Sequence, residues 1–183
     1  MKKILLAIAL LTAAPAVQAK ETEPDYKVVV VKNESGAFTY ESVVNIEGVT
    51  KEEMFNRAKQ WIIANLKTND NNIAFDANSL TINNSATLVL KPAGGFNWAI
   101  TSGFINFKLN VQFKDGRYKF VFDNIVVQTA YMGIVATAAY GDLKTNRKPV
   151  QYVRQEVNTN LLAIAQQLEA AIKNGSSKTS DNW

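Results

Sequence analysis

The chain has neither cysteine nor histidine among its 183 residues. Without cysteine it can form no disulfide, offers no thiol nucleophile and lacks the lipid-attachment residue of a bacterial lipoprotein. Without histidine it lacks the commonest general base, so a Ser-His-Asp triad is impossible, and the commonest zinc ligands are also missing. An enzyme built from this chain could use a carboxylate pair, a Ser-Lys dyad or an all-oxygen metal site.

A hydrophobic run long enough for a membrane anchor is also missing. Two lysines precede the apolar residues 4–11, and Thr12 begins the interruption of that run, well short of the roughly 20 apolar residues that a spanning helix needs. Small residues then lead to Ala19, as is typical of a Sec-type signal peptide. We expect cleavage after Ala19, no transmembrane segment after cleavage, and a periplasmic or secreted product.

The expected cleavage changes the size and charge of the working protein. Loss of residues 1–19 from the 183 leaves 164 residues, enough for one domain with its own core. Two lysines leave as well, so 20 basic residues become 18 against 16 acidic ones. This small excess does not favour a polyanion partner. We expect a leader and first strand region at 20–36, a single domain at 37–173 and a polar tail at 174–183.

The clearest pattern in the chain is a β-hairpin. Apolar and polar residues alternate from position 105 to position 113, the period of a half-buried strand. Asp115-Gly116 suits a two-residue turn, because glycine tolerates a positive φ. Such a turn predicts three cross-strand pairs on one apolar face, namely Phe113 with Tyr118, Val111 with Phe120 and Leu109 with Phe122.

Two helices and several further strands are predicted around this hairpin. Residues 38–46 read as a strand, and Thr50 with Glu53 forms a capping box that opens a helix ending before Asn69. Short strands are predicted at 73–75, 80–82 and 86–90, and a long helix at 150–173 with Gly175 as its stop. The order predicts an α+β fold, a curved antiparallel sheet with two helices packed on one face, β-α-β(4 or more)-α.

The strand, glycine and capped helix that end in Arg57-Ala58-Lys59-Gln60-Trp61, followed by Ile73-Ala74-Phe75-Asp76, resemble a known family. It is the domain of unknown function numbered 4468, found in exported proteins of Bacteroides-like bacteria. The resemblance covers residues 38–125 and implies a TATA-binding-protein-like (TBP-like) fold. It implies no activity, since the shared residues are packing and capping residues. The chain departs from the family at residues 82–91, where Asn83-Asn84 replaces a glycine-bearing strand.

Three places are candidate binding surfaces. The polar face of the hairpin lacks aromatic side chains on which bases could stack, so we expect no nucleic-acid partner there. Residues 128–148 have no clear period, and either continue a strand that bends at Gly133 or form an apolar flap. The candidate residues are Lys108, Asn110, Gln112, Arg117 and Lys119 on the hairpin, Phe96 and Trp98 in a glycine-containing loop, and Tyr131 and Met132 in residues 128–148.

These patterns predict a non-enzymatic exported binding or interaction domain. Its partner would be a protein or small molecule of the cell envelope, and no catalytic, cofactor-binding or metal-binding residue is predicted. The alternative is a periplasmic hydrolase that uses carboxylate or lysine chemistry. That enzyme would need a pocket with two converging carboxylates or a lysine whose pKa is lowered.

Overall fold

The computed structural model describes residues 26–66, 72–94, 101–131, 134–144 and 147–175. The expected signal peptide and nearly all of the expected polar tail lie outside these residues. The elements in chain order are β1 (Val31–Lys32), β2 (Phe38–Asn45), α1 (Lys51–Asn65), β3 (Ile73–Asp76), β4 (Thr81–Leu90), β5 (Gly103–Lys114), β6 (Arg117–Tyr131), β7 (Ile134–Ala139), a 3-10 turn (Tyr140–Asp142) and α2 (Lys148–Asn174).

The strands form one antiparallel sheet of seven strands, six of them in the order β1-β2-β6-β5-β4-β3 and the seventh, β7, paired with β6. β6 is the longest strand and pairs with β5 along one edge. Its other edge is shared, because β2 pairs with the first half of β6 and β7 with the second half. The two helices cover one face of the sheet, so the predicted α+β architecture is confirmed.

The predicted hairpin is present in the predicted register. Phe113 lies opposite Tyr118, and the other two predicted pairs follow along the ladder. Gly116 adopts a φ of 73° in the turn, a conformation that costs most other residues about 1 kcal/mol. The hairpin and its turn therefore follow from local sequence alone.

The core lies between the sheet and the helices. Alternate residues of β5 and β6 are buried against the apolar sides of α1 and α2. Tyr40 of β2 adds its ring to this layer, with its centroid 5.1 Å from Phe120 and 5.7 Å from Phe122. Burial of these rings supplies much of the driving force for folding, since each removes a large apolar area from water.

Helix α1 begins after Thr50 and α2 stops at Gly175, as predicted, although only the Thr50 half of the predicted capping box is among the described hydrogen bonds. The two helices are also tied to each other. The hydroxyl of Thr50 accepts a hydrogen bond from the backbone N–H of Glu53 at 3.2 Å, and Gly175 ends α2 with a φ of 72°. Glu53 forms an ion pair with Arg57 at 2.8 Å. Arg57 also donates to the carbonyl of Ile172 at 2.8 Å, so a cation of α1 stabilises the negative end of the α2 dipole.

Two sequence predictions are corrected by the fold. Residues 80–82 and 86–90 are not separate strands, because β4 runs without a break from Thr81 to Leu90 through Asn83-Asn84. Residues 128–148 contain strand structure, as one of the two interpretations held, but the chain does more than bend near Gly133. β7 reverses direction and pairs antiparallel with the end of β6.

Asn158 of α2 is buried at 0% exposure and uses both ends of its carboxamide. Its Oδ1 accepts from the backbone N–H groups of Val29 and Val30 at 2.7 and 2.9 Å. Its Nδ2 donates to the hydroxyl of Tyr140 at 2.8 Å and to the carbonyl of Arg154 at 2.7 Å. One side chain therefore holds together the segment before β1, the 3-10 turn and α2.

Asn84 of β4 is also buried, at 2% exposure, but it differs from Asn158 in its hydrogen bonding. It lies on the helix-facing side of the sheet, opposite Leu109 on β5 and Ile73 on β3. Neither its Oδ1 nor its Nδ2 has a hydrogen-bond partner within the described residues. A buried polar group without a partner lowers stability by about 1–3 kcal/mol.

We predict that the same substitution has opposite effects at these two positions. Asn158→Leu leaves two backbone donors and a hydroxyl unpaired, and is expected to lower the free energy of unfolding by about 3 kcal/mol. Asn84→Leu replaces an unpaired amide with a side chain of similar shape, and is expected to raise it by about 1 kcal/mol. Urea unfolding followed by circular dichroism measures both changes.

Each variant is the control for the other, because leucine replaces a buried asparagine in both. Equal losses of stability would contradict the hydrogen-bond assignments, since a general intolerance of leucine at these sites would then explain the results.

Tyr118 is a second buried polar group without a described partner. Tyr118 is 1% exposed, and its hydroxyl has no hydrogen bond within the described residues. Burial raises the pKa of this hydroxyl above its ordinary value, and the carboxylate of Glu169 and the Tyr40 hydroxyl add to the shift. The folded protein therefore keeps Tyr118 protonated at pH values where the unfolded chain ionises it.

We predict that Tyr118 makes the protein less stable in alkali. A raised folded-state pKa gives stability that is complete below the unfolded pKa of about 10 and falls above it. Between pH 10 and pH 11 the wild type is expected to lose about 1 kcal/mol more than Tyr118→Phe. Urea unfolding at pH 7, 10 and 11 tests this, and identical pH profiles for both proteins would contradict it.

Candidate functional site

The sheet has a second face, which the helices do not cover and which we call the open face. On β5 it carries the side chains of Asn106, Lys108, Asn110 and Gln112, which alternate with the buried residues. On β4 the same side carries Asn83, Ser85 and Thr87, and the ladder places Asn83 opposite Asn110 and Ser85 opposite Lys108. Polar residues from two neighbouring strands therefore meet on one surface.

A β-bulge on β6 adds a residue to this face. Lys108 pairs with Asp123, but Asn106 pairs with Val126, so β6 contains one residue more than β5 between these pairs. Asn124 takes up the irregularity with a φ of 48°; asparagine enters this left-handed region more readily than most residues. The bulge changes the alternation, because Ile125 returns to the core and Asn124 joins Asp123 in solvent.

The open face is concave over these residues. A depression of about 510 Å³ is lined by Asn83, Ser85, Lys108, Asn110 and Asp123, together with residues of β3. A second depression of about 200 Å³ shares Ser85 and Lys108 with it. We call the two together the amide groove, formed by Asn83, Ser85, Thr87, Asn106, Lys108, Asn110, Asp123 and Asn124.

Hydrogen bonds within the amide groove use only part of its polar capacity. Thr87 donates to Asn106 Oδ1 at 2.7 Å, and Asn110 Nδ2 donates to Asp123 Oδ2 at 3.1 Å. These bonds leave the Asn106 amino group, the Asn110 carbonyl oxygen and one carboxylate oxygen of Asp123 facing the groove without a described partner. The groove can therefore offer donors and acceptors side by side.

Two lysines of the open face each lie beside a carboxylate. Lys119 forms an ion pair with Glu41 of β2 at 3.0 Å, and Lys108 lies opposite Asp123 across the ladder. Lys108 and Lys119 are thus accompanied by carboxylates, and Lys114 and Arg117 lie toward the hairpin turn. A phosphate-binding surface would need clustered cations without this compensation.

The amide groove ends at an apolar area. Val89 of β4 and Phe104 of β5 lie opposite each other on the ladder, and they are 74% and 47% exposed. Val135 of β7, 66% exposed, is another large apolar side chain in solvent. Exposed aromatic and aliphatic groups beside a polar depression are common in ligand sites.

The structure brings together part of the set predicted from sequence. All five hairpin candidates lie on the open face, and Lys108 and Asn110 line the amide groove while the other three lie toward the hairpin turn. Tyr131 ends β6 opposite Ile134. Phe96, Trp98 and Met132 lie outside the described residues, so their assignment stays a prediction.

Several groove residues were missed as site residues by the sequence analysis. Asn83, Ser85 and Thr87 alternate with core residues, which is the signal that could have found them. Asn84 interrupts this alternation in the sequence, because a polar residue there occupies a core position in the middle of the strand. Asn124 was missed because its bulge shifts the core positions from Phe122 to Ile125, a spacing of three where the strand period is two.

The described residues contain neither a cluster of metal ligands nor a membrane-spanning helix. The described ranges contain no group of three or more acidic side chains placed to hold a metal ion. No helix in the described part of the chain has the length and apolarity needed to cross a membrane.

The fold and sequence match one family. Residues 40–128 match the model of the "Domain of unknown function (DUF4468) with TBP-like fold". The chain carries a DUF4468 domain. α1, β3, β4 and β5 lie within the match, as do most of β2 and most of β6, so the match contains the amide groove. The family description names no activity.

Two solved structures share the fold of this DUF4468 domain. A TBP-like protein from Parabacteroides distasonis ATCC 8503 is similar with a TM-score of 0.67 and 19% identity, over 82% of this chain and 100% of that one. A DUF4468 family protein from Bacteroides ovatus ATCC 8483 is similar with a TM-score of 0.55 and 15% identity, over 82% and 93%. Among curated proteins none matches. At these identities the similarity shows the fold alone.

Proposed function

We propose that this protein is an exported, non-enzymatic binding domain that contacts its partner through the open face of the sheet. The observation that carries the proposal is the amide groove. It lies on the face opposite the helices, is open to solvent, and is lined by polar side chains that the hydrophobic core does not need. Export rests on residues 1–19, whose pattern is that of a signal peptide.

The composition of the groove supports binding over simple solvation. A sheet face that only has to remain soluble is well served by exposed lysines and other charged residues. In the amide groove, amides and hydroxyls outnumber the two charged residues Lys108 and Asp123, and a depression of about 510 Å³ lies over them, with the half-exposed ring of Phe104 beside it. Concavity with a few convergent polar groups is the usual form of a ligand site.

Residues 128–148 extend the proposed surface. β7 continues the sheet beyond β2, and its residues 135–137 are exposed to solvent. The ladder places Thr137 opposite Gln128 and Gln128 opposite Phe104. A partner that occupies the apolar end of the groove would therefore also contact β7.

The absence of catalysis is part of the proposal, and the carboxylates of the open face support it. Glu41 is held in the ion pair with Lys119, and Asp123 accepts a hydrogen bond from Asn110. General acid and base catalysis by two carboxylates needs them to converge on one reacting group. Here each has a partner of its own on a different pair of strands.

We predict that a double substitution in the groove removes partner capture. The protein, expressed as the full chain and purified from the envelope fraction, is immobilised and exposed to an extract of the same envelope. Lys108→Ala with Asn110→Ala removes a cation and an amide from the groove, and is expected to lose what the wild type retains. Mass spectrometry of proteins and small molecules measures retention.

The matched control is Asn56→Ala with Lys173→Ala, which removes the same two residue types from exposed positions on the helices. It is expected to retain what the wild type retains. Thermal melting must be unchanged in both variants. Retention that survives the groove substitutions, or nothing retained by the wild type, would contradict the proposal.

A further inference from the structure

We infer that the amide groove binds a neutral, polyhydroxylated ligand, a segment of an oligosaccharide, with one sugar ring on Phe104. This inference rests on the proposed function, because it specifies the class of ligand for the same open face. Four features of the groove support it. The β5 backbone is paired on both sides, asparagine side chains have unused donors and acceptors, the charges of Lys108 and Asp123 balance, and one end is apolar.

The backbone of β5, which runs beneath the groove, is paired on both sides. β5 forms the floor, and residues 103–112 pair with β4 on one side. The same strand pairs with β6 on the other side, apart from the bulge at Phe107. An extended peptide therefore cannot add to β5 as a further strand, and would lose the main-chain hydrogen bonds that usually give such binding its affinity. Recognition in the groove depends on side chains.

Half of the eight groove side chains are carboxamides. A carboxamide has a donor and an acceptor on the same planar group, and a sugar hydroxyl both donates and accepts. Two neighbouring hydroxyls can therefore satisfy one asparagine. Asn83 and Asn124 have no described hydrogen bond through their side chains, and Asn106 and Asn110 each use one end in the groove. The groove has free groups at successive positions along its length.

The charges of the groove fit an uncharged ligand. Lys108 is the one cation among the eight groove residues, and Asp123 lies opposite it. A polyphosphate or nucleic acid would gain little from a single compensated lysine, and Asp123 would repel it. A neutral polyol can use Lys108 as a donor and Asp123 as an acceptor without adding charge.

The apolar end supplies the second part of sugar recognition. Phe104 and Asn106 point to the same side of β5 and are two residues apart, roughly 7 Å along the strand. A pyranose ring has an apolar face of C–H groups, which can cover an exposed aromatic ring while the hydroxyls at its edge reach polar neighbours. Val89, opposite Phe104, enlarges the apolar surface on which the sugar ring would lie.

Nuclear magnetic resonance tests the inference directly, because asparagine side-chain amides give their own signals. The ¹⁵N-labelled protein, expressed as the full chain, is titrated separately with maltohexaose, cellohexaose and chitohexaose to about 10 mM, sufficient to occupy most of a site with a Kd of about 1 mM. At least one hexasaccharide is expected to shift the side-chain amides of Asn83 and Asn124 and the ring protons of Phe104. A heptapeptide of alanine, serine and threonine is titrated in parallel.

Substitutions then locate the site. Asn83→Ala and Phe104→Ala are each expected to weaken the Kd for the active hexasaccharide about tenfold, the effect of one lost contact of about 1.4 kcal/mol. The matched controls are Asn56→Ala and Ile63→Ala, an exposed amide and an exposed apolar residue on α1. Both controls are expected to keep the wild-type Kd.

The possible outcomes separate this inference from the proposed function. If no hexasaccharide shifts any groove signal, or if the groove variants bind as the wild type does, the oligosaccharide inference is wrong. Groove shifts caused by the heptapeptide alone would also overturn it. In either case the envelope capture decides the proposed function independently, because that experiment does not depend on the class of ligand.

Discussion

Burial of one face of the sheet beneath two helices is the interaction on which the rest of this structure depends. Every second residue of β5 is apolar and covered, and β6 follows the same rule up to its bulge. Without this layer the helices would have no surface to pack on, since each has only one apolar side. Asn158 then fixes the segment before β1 to this framework through backbone hydrogen bonds. The fold is thus a one-sided sheet, covered by helices on one face only, and hydrogen bonds of Asn158 attach the segment before β1 to α2.

The same constraint determines which surface we propose for partner binding. Helices on one side leave the other side of the sheet in solvent, and its residues are free of packing requirements. The bulge at Asn124 places two consecutive polar residues, Asp123 and Asn124, on the open face. The core pattern resumes at Ile125. The structural relatives share the fold, and a shared fold does not determine the chemistry of the open face.

The fold could be predicted from sequence wherever local patterns determine it. The hairpin register, the start of α1 at Thr50 and the stop of α2 at Gly175 each depend on neighbouring residues. Prediction failed where a distant contact overrides the local pattern. Asn84 looks like a turn residue, but pairing with β3 and β5 holds it in a strand. The amide groove could be predicted only in part, because Asn83 and Asp123 become neighbours through ladder registers that no local pattern contains.

The one-sided sheet can be tested most directly by cysteine accessibility, because the natural chain has no cysteine. Single cysteines are introduced at Leu109, Asn110, Asp123, Asn124 and Ile125, and their reaction with a thiol reagent is followed under native conditions. The account predicts that the cysteines at 110, 123 and 124 react as free thiols do, and that those at 109 and 125 react at least about a hundredfold more slowly. Equal rates at all five positions would contradict it. So would a slow reaction at 124 with fast reactions at 123 and 125, which is the pattern of a strand without a bulge.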